Sequence, residues 1–163
     1  MQAAKDSFFM ALCARLQQVN PQRTVVIEGE VRPGLLVAEN EPAICTQPPE
    51  AFCIEWGAVK PMSESPLVQS TLMSIDATIR YCTCGANNGD GDRGRSLTTM
   101  DAELMAICNP RQTPKMDCTQ ATPAPLGSSV FWQTPLFGAA VQTASMYGRS
   151  ATTTVFYYPE AEA

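Results

Sequence analysis

The stretch Thr71-Leu72-Met73-Ser74-Ile75-Asp76-Ala77-Thr78-Ile79-Arg80-Tyr81-Cys82 decides the fold. Met73, Ile75, Ala77, Ile79 and Tyr81 share one parity and are apolar; the residues between them are mostly polar. A period of two is that of a strand with one face on a core and the other toward water or a partner. A polar, glycine-rich loop follows, Gly85 to Gly94, and then a helix pattern from Ser96 to Cys108. There Leu97, Met100, Leu104 and Ile107 fall on one side, with Cys108 beside them. A long strand feeding a helix that covers its apolar face is the centre of a small α+β domain. The predicted fold is therefore α+β, a mostly antiparallel β-sheet packed by two α-helices with long Pro/Gly-rich loops, in a single domain over 1–163.

Toward the N-terminus, Phe8, Leu12 and Leu16 recur every fourth residue, and Phe9, Cys13 and Val19 widen the stripe. This predicts a core-covering helix from Ala3 to Gln18, stopped by Asn20-Pro21. Two strands are predicted next, Thr24 to Glu30 and Leu35 to Glu39, joined as a hairpin through the turn signal Arg32-Pro33-Gly34. Glu28, Glu30, Glu39 and Glu41 gather in this region. They read either as a solvated edge whose charge discourages strand pairing or as an acidic patch facing a partner or a channel. Pro42 to Glu50 is a connection. Ala51 to Val59 is a strand with Phe52, Ile54 and Trp56 on one face and Cys53 and Glu55 on the other.

Toward the C-terminus, Ser96 or Thr98 is the expected helix N-cap, with Asp101 and Glu103 favoured by the helix dipole. Asn109-Pro110 ends that helix. Gln112 to Gly127 is rich in Pro and Thr with little periodicity and reads as a long loop. Val130 to Trp132 is a short strand candidate, and Phe137 to Tyr147 is ambiguous. The last strand is Ala151 to Tyr158, with Ala151, Thr153, Val155 and Tyr157 on one face.

Composition narrows the function classes. The apolar fraction is 45%, ordinary for a folded chain. The net charge of −5 argues against a nucleic-acid backbone as the main partner, because such binding needs a basic footprint. Arg93 and Arg95 make only a small basic spot. No signal peptide and no membrane span are expected. Seven cysteines, an odd number at irregular spacing, read as free thiols in a reducing compartment. Cys13, Cys45, Cys53 and Cys108 sit among apolar neighbours, where cysteine acts as a small hydrophobe.

The chain has no histidine, which removes Ser-His-Asp and Cys-His catalysis and most catalytic zinc sites. Cys82, Cys84, Cys108 and Cys118 offer four thiolates, but a one-residue gap is atypical for a structural zinc site and for a redox pair. Incidental thiols are the better reading, and no metal or cofactor is expected. Asp90 and Asp92 lack the acidic positions and closing glutamate of a calcium loop, and no Gly-Lys-Ser/Thr follows to make a phosphate loop. A solvated turn, or a loop that orders against a partner, fits this composition. Asp76, Glu55 and Asp101 are the acid–base candidates, and nothing in their spacing places two together. No enzymatic activity is expected.

The element order, read with Phe8-Phe9…Leu12…Leu16, the run Arg32 to Glu41, Ser74 to Tyr81 followed by Asp101 to Ile107, and the closing Ala151 to Tyr158, resembles the tail-terminator (tail-completion) proteins of tailed bacteriophages and phage-like particles. The segment 111–127 departs from a compact terminator and reads as a loop insertion. The resemblance implies a non-enzymatic virion protein, made in the host cytoplasm. It implies a homo-oligomeric ring, commonly hexameric, at the head-proximal end of the tail tube. There it ends tube polymerisation and meets the tail tube protein and a neck or head-completion protein. DNA would pass through the lumen without specific binding, and no membrane is involved. Under this reading Glu28, Glu30, Glu39 and Glu41 are lumen or rim contacts, and Asp90, Asp92, Arg93 and Arg95 belong to a loop that reaches a neighbour. The alternatives are another head–tail connector or tail-tube component, or a monomeric, non-enzymatic binding module.

Overall fold

The computed structural model describes residues 1–41, 48–62, 71–85 and 92–159. In chain order it runs α1 (Gln2–Val19), β1 (Thr24–Ile27), β2 (Glu30–Pro33), β3 (Leu35–Val37), a 3-10 turn (Ala38–Asn40), β4 (Phe52–Pro61), β5 (Met73–Thr83), α2 (Arg93–Ile107), β6 (Gln112–Asp117), β7 (Ala124–Trp132), β8 (Leu136–Phe137), β9 (Val141–Gln142) and β10 (Tyr147–Tyr157).

The fold is α+β, with a curled, mostly antiparallel sheet. Its strand order is β3-β4-β5-β10-β7-β6, and β8 and β9 pair with β10. The alternating stretch is β5, and its odd-numbered residues Ile75, Ala77, Ile79 and Tyr81 are buried. β10 lies antiparallel to it, with Tyr147 opposite Thr83 and Tyr157 opposite Met73. Ala151, Thr153, Val155 and Tyr157 are buried, the face that the alternation predicts. β4 pairs with β5 antiparallel, with a bulge between Trp56 and Val59, and the three-residue β3 adds in parallel at the edge.

Both helices pack on one face of this sheet. α1 buries Ala4, Phe8, Leu12 and Leu16; α2 buries Leu97, Met100, Leu104 and Ile107. The Phe8 ring meets Trp56 and Trp132 edge-on, at centroid distances of 5.6 and 5.0 Å. α1 touches both β3 and β6, so the curled sheet brings its two edge strands to the same helix. Arg15 donates hydrogen bonds to the carbonyl oxygens of Ile107, Pro110 and Gln112, supplying donors that the end of α2 lacks. Trp132 Nε1 donates to the Cys108 carbonyl at 2.9 Å.

Three expectations need correction. First, the hairpin is β1–β2, not Thr24–Glu30 with Leu35–Glu39, and its turn is Glu28-Gly29, not Pro33-Gly34. Both turn residues have positive φ, 53° and 85°, as a type I′ turn requires. Gly34 serves a different need: a Cβ there would lie 2.8 Å from Arg23 Cγ. Gly29→Ala places a side chain in the left-handed region. It is expected to cost about 1–2 kcal/mol, read as a shift in the urea midpoint. Second, the 111–127 segment is not a plain loop. β6 and the start of β7 occupy it as paired antiparallel strands with a bulge between Pro114 and Met116. Proline at an edge-strand bulge removes no needed ladder hydrogen bond. Third, α2 begins at Arg93 with Asp92 at its N-cap, not at Ser96 or Thr98, and the Asp92 side chain makes no capping hydrogen bond. Asp101 and Glu103 lie beyond its first two turns and serve ion pairs instead. Phe137 to Tyr147, ambiguous in sequence, supplies β9 and the ends of β8 and β10.

On the opposite face of the sheet a smaller cluster, Val25, Leu36, Ala51 and Cys53 with Ile27 beside it, seats the β1–β2 hairpin. Arg23 anchors the base of that hairpin. Its Nε and Nη2 donate to Glu103, and its Nη1 donates to the Glu50 carbonyl at 2.8 Å. Among the described residues, no helix is long and apolar enough to cross a membrane.

Candidate partner-contact surfaces

The hairpin is amphipathic in an unusual sense. Val25 and Ile27 face the sheet, while Val26 and Val31, directly opposite each other, are 68% and 69% exposed. Glu28 and Glu30 stand at the exposed tip. With Arg32, Asn40 and Glu41 they line a cleft of about 500 Å³. Arg32 Nη2 holds Glu41 at 3.1 Å. Three of the four predicted glutamates thus share one cleft. Glu39 does not: it pairs with Lys5 at 3.0 Å, and Lys5 also sits 5.5 Å from the Trp56 ring. An apolar groove of about 380 Å³ adjoins this cleft through Arg32 and Glu41, floored by Phe9, Cys13, Pro33 and Leu35.

The second predicted set lies at the start of α2. Asp90 falls outside the described residues. Asp92 occupies the N-cap position without a side-chain capping bond, Arg93 is half-buried and Arg95 is exposed on the first turn. Arg93 and Gly94 form a cleft of about 240 Å³ with Gln142 and Tyr147. Beside it is a groove of about 300 Å³ whose lining is mostly apolar surface, from Cys82, Ala139, Val141 and Met146 among others, and includes Arg80 and Arg149. Sequence reasoning missed this groove and the Val26–Val31 pair. The signal for both was an apolar residue on a short strand with no partner in the pattern.

The acid–base candidates are each engaged separately. Glu55 pairs with Arg80, Asp76 with Lys60 at 3.6 Å, and Asp101 with Arg149 at 2.9 Å. Tyr81 O–H donates to Asp101. Burial, and then the hydrogen bond to that carboxylate, push the Tyr81 phenol well above its ordinary range. A phenol so held is a hydrogen-bond donor and not a base.

The four thiols considered for zinc do not converge. Cys84 is exposed, Cys108 is buried, and Cys118 sits 3.3 Å from the Met10 sulfur. Among the described residues, no group of three or more Cys, Asp or Glu is arranged to hold a metal ion. Burial pushes the Cys13 and Cys108 thiols up to about 12, so both stay protonated near neutrality. Iodoacetamide at pH 8 is expected to label Cys84 in the folded protein and to leave Cys13 and Cys108 intact until denaturant is added. Peptide mass spectrometry reads this directly. The same shifts set an alkaline limit. As pH passes the unfolded thiol value of 9.0, the unfolded chain ionises first, so these thiols lower stability as pH rises toward 12.

No protein-family model matches the chain, and no curated protein matches it.

Proposed function

We propose that this protein is a structural subunit of a phage or phage-like tail. It forms a ring at the head-proximal end of the tail tube, ends tube polymerisation and joins the tail to the neck or head. The observation that carries this reading is the β1–β2 hairpin, a separate two-stranded element with an acidic tip and an exposed valine pair. The inner face of the hairpin is held by Val25 and Leu36, and its outer face offers the valine pair beside the acidic tip, which fits a contact with a partner. The net charge of −5 suits a ring that DNA passes without sticking. The mechanism is steric and adhesive: one ring face copies the tube's stacking contacts and the other lacks them.

The apolar groove between α1 and the hairpin favours a second reading, a monomeric binding module that holds an apolar segment there. Light scattering on a sizing column, with negative-stain images of the protein alone and mixed with a tube subunit, separates the two. Closed rings that cap short tubes are expected. A tube-extending polymer would instead indicate a tube component or connector, and a monomer indifferent to the tube subunit would overturn the ring.

A further inference from the structure

We propose that Cys82, Cys84 and Met146 form a binding site for a soft monovalent metal ion, Cu(I), with two thiolates and one thioether as ligands. The site lies within one copy of the chain and does not depend on the ring.

Strand alternation brings the two thiols together. The period that buries Tyr81 and Thr83 puts Cys82 and Cys84 on the opposite face at the end of β5, Cys82 half-buried and Cys84 exposed. Burial raises the Cys82 thiol, and Cys84 and then Glu50 raise it further, so the two sulfurs stand within electrostatic reach. β10 supplies the third sulfur. Gly148 lies opposite Cys82, and a Cβ there would come within 2.8 Å of the Cys82 Cβ. With glycine at that point, Met146, two residues earlier, lies against Cys82, its Sδ 3.7 Å from Cys82 Sγ. The turn before β10 holds Met146 there: Thr143 N donates to the Met146 carbonyl at 2.8 Å, and Met146 N donates to Thr143 Oγ1 at 3.1 Å. Three sulfurs bound in a plane at about 2.3 Å from one ion stand about 4 Å apart. The Cys82–Met146 spacing is already that of two ligands to a shared ion.

The donor set selects the ion. Thiolate and thioether sulfurs prefer Cu(I) to harder ions, and the chain has no histidine to draw one. Binding exchanges two thiol protons, lost to solvent, for one Cu(I), and the copper keeps its oxidation state. The complex then carries one negative charge. Arg80 and Arg149 line the same groove and offset it, while the mostly apolar lining limits water at the ion. Cys118 and Met10, with sulfurs 3.3 Å apart, offer a single thiol and thioether and make a natural control.

Titration of the reduced protein with Cu(I) against bicinchoninate, a coloured competitor, tests this. The wild-type chain is expected to hold one equivalent that the competitor does not strip. Cys82→Ser and Cys84→Ser are expected to lose that equivalent, and Met146→Leu to retain less copper at the same competitor concentration. Cys118→Ser is expected to match the wild type. Ag(I), a redox-inert stand-in, is expected to protect Cys84 from iodoacetamide in peptide mass spectrometry. Because Cys84 is exposed, Cys84→Ser is expected to keep the circular dichroism spectrum and melting temperature of the wild type, so the test survives a misfolded Cys82→Ser. A wild-type chain that yields all its copper to bicinchoninate overturns the site. So does a folded Cys84→Ser or Met146→Leu that titrates like the wild type, or a loss of the equivalent in Cys118→Ser.

Discussion

Arg23→Met is expected to lower the unfolding free energy by about 3–5 kcal/mol, because it strands a buried carboxylate. Arg23 and Glu103 are each only 8% exposed at the side chain. Arg23 gives Glu103 two hydrogen bonds, and Asn20 Nδ2 gives it a third at 2.8 Å. Arg23 also reaches Glu50, whose carboxylate accepts from Thr83 Oγ1, and its guanidinium lies 5.6 Å from the Phe52 ring. One side chain thereby joins the hairpin base, α2 and the end of β5. Truncation leaves Glu103 with neither its charge partner nor enough donors. The double variant Arg23→Met with Glu103→Leu is expected to recover most of the loss, since removing both charges removes the desolvation cost as well. Urea midpoints of the two variants check this. Equal losses in single and double variants would show that the arginine acts by packing alone. The Glu55–Arg80 pair offers a contrast. Its side chains are 40% and 52% exposed, and Glu55→Gln is expected to cost no more than about 1 kcal/mol.

Phe8→Ala is expected to cost about 3–5 kcal/mol, the range for deleting a fully buried ring. Phe8 is wholly buried, and its ring stands edge-on between Trp56 and Trp132. These indoles belong to β4 and β7, on opposite sides of β5 and β10, so the ring ties both halves of the sheet to α1. At this chain length each kcal/mol shifts the melting temperature by about 2–4 °C. Calorimetry or a fluorescence melt reads the loss, and a red shift of tryptophan emission would report water reaching the cavity. Val19→Ala, on the same helix at a 45% exposed position, is expected to change stability by less than about 0.5 kcal/mol.

The parts of the fold legible in the sequence are those with a long, uninterrupted period. β5 alternates without a break, β10 shows the same pattern, and the helix stripes at Phe8, Leu12, Leu16 and at Leu97, Met100, Leu104 are clear. What escaped had local chemistry pointing elsewhere. Pro33-Gly34 has the composition of a turn, but this glycine answers to the close approach of Arg23, while the real turn puts a glutamate at positive φ. β6 carries Pro114 and the buried Lys115, whose Nζ donates to the Tyr158 carbonyl. Proline and a charge both read as loop until the partner strand is known. The candidate surfaces were half legible. Charge runs marked Glu28, Glu30, Arg93 and Arg95, but Glu39 is spent on Lys5, a partner 34 positions away. The Arg23–Glu103 pair spans 80 positions and leaves no trace in local pattern.

The place of β10 has a consequence for how the protein is made. It follows the other described strands in the chain, yet it lies between β5 and β7. Until β10 has been made, the chain owns two half-sheets with no strand to join them. The apolar row of Ile75, Ala77 and Ile79 stays open on that side until the end of β10 emerges. Pairings so distant in sequence form slowly, and the waiting surfaces invite aggregation. A chain broken off before β10 cannot complete the sheet. The two outer portions of the sheet thus acquire their shared core only after β10 has been made.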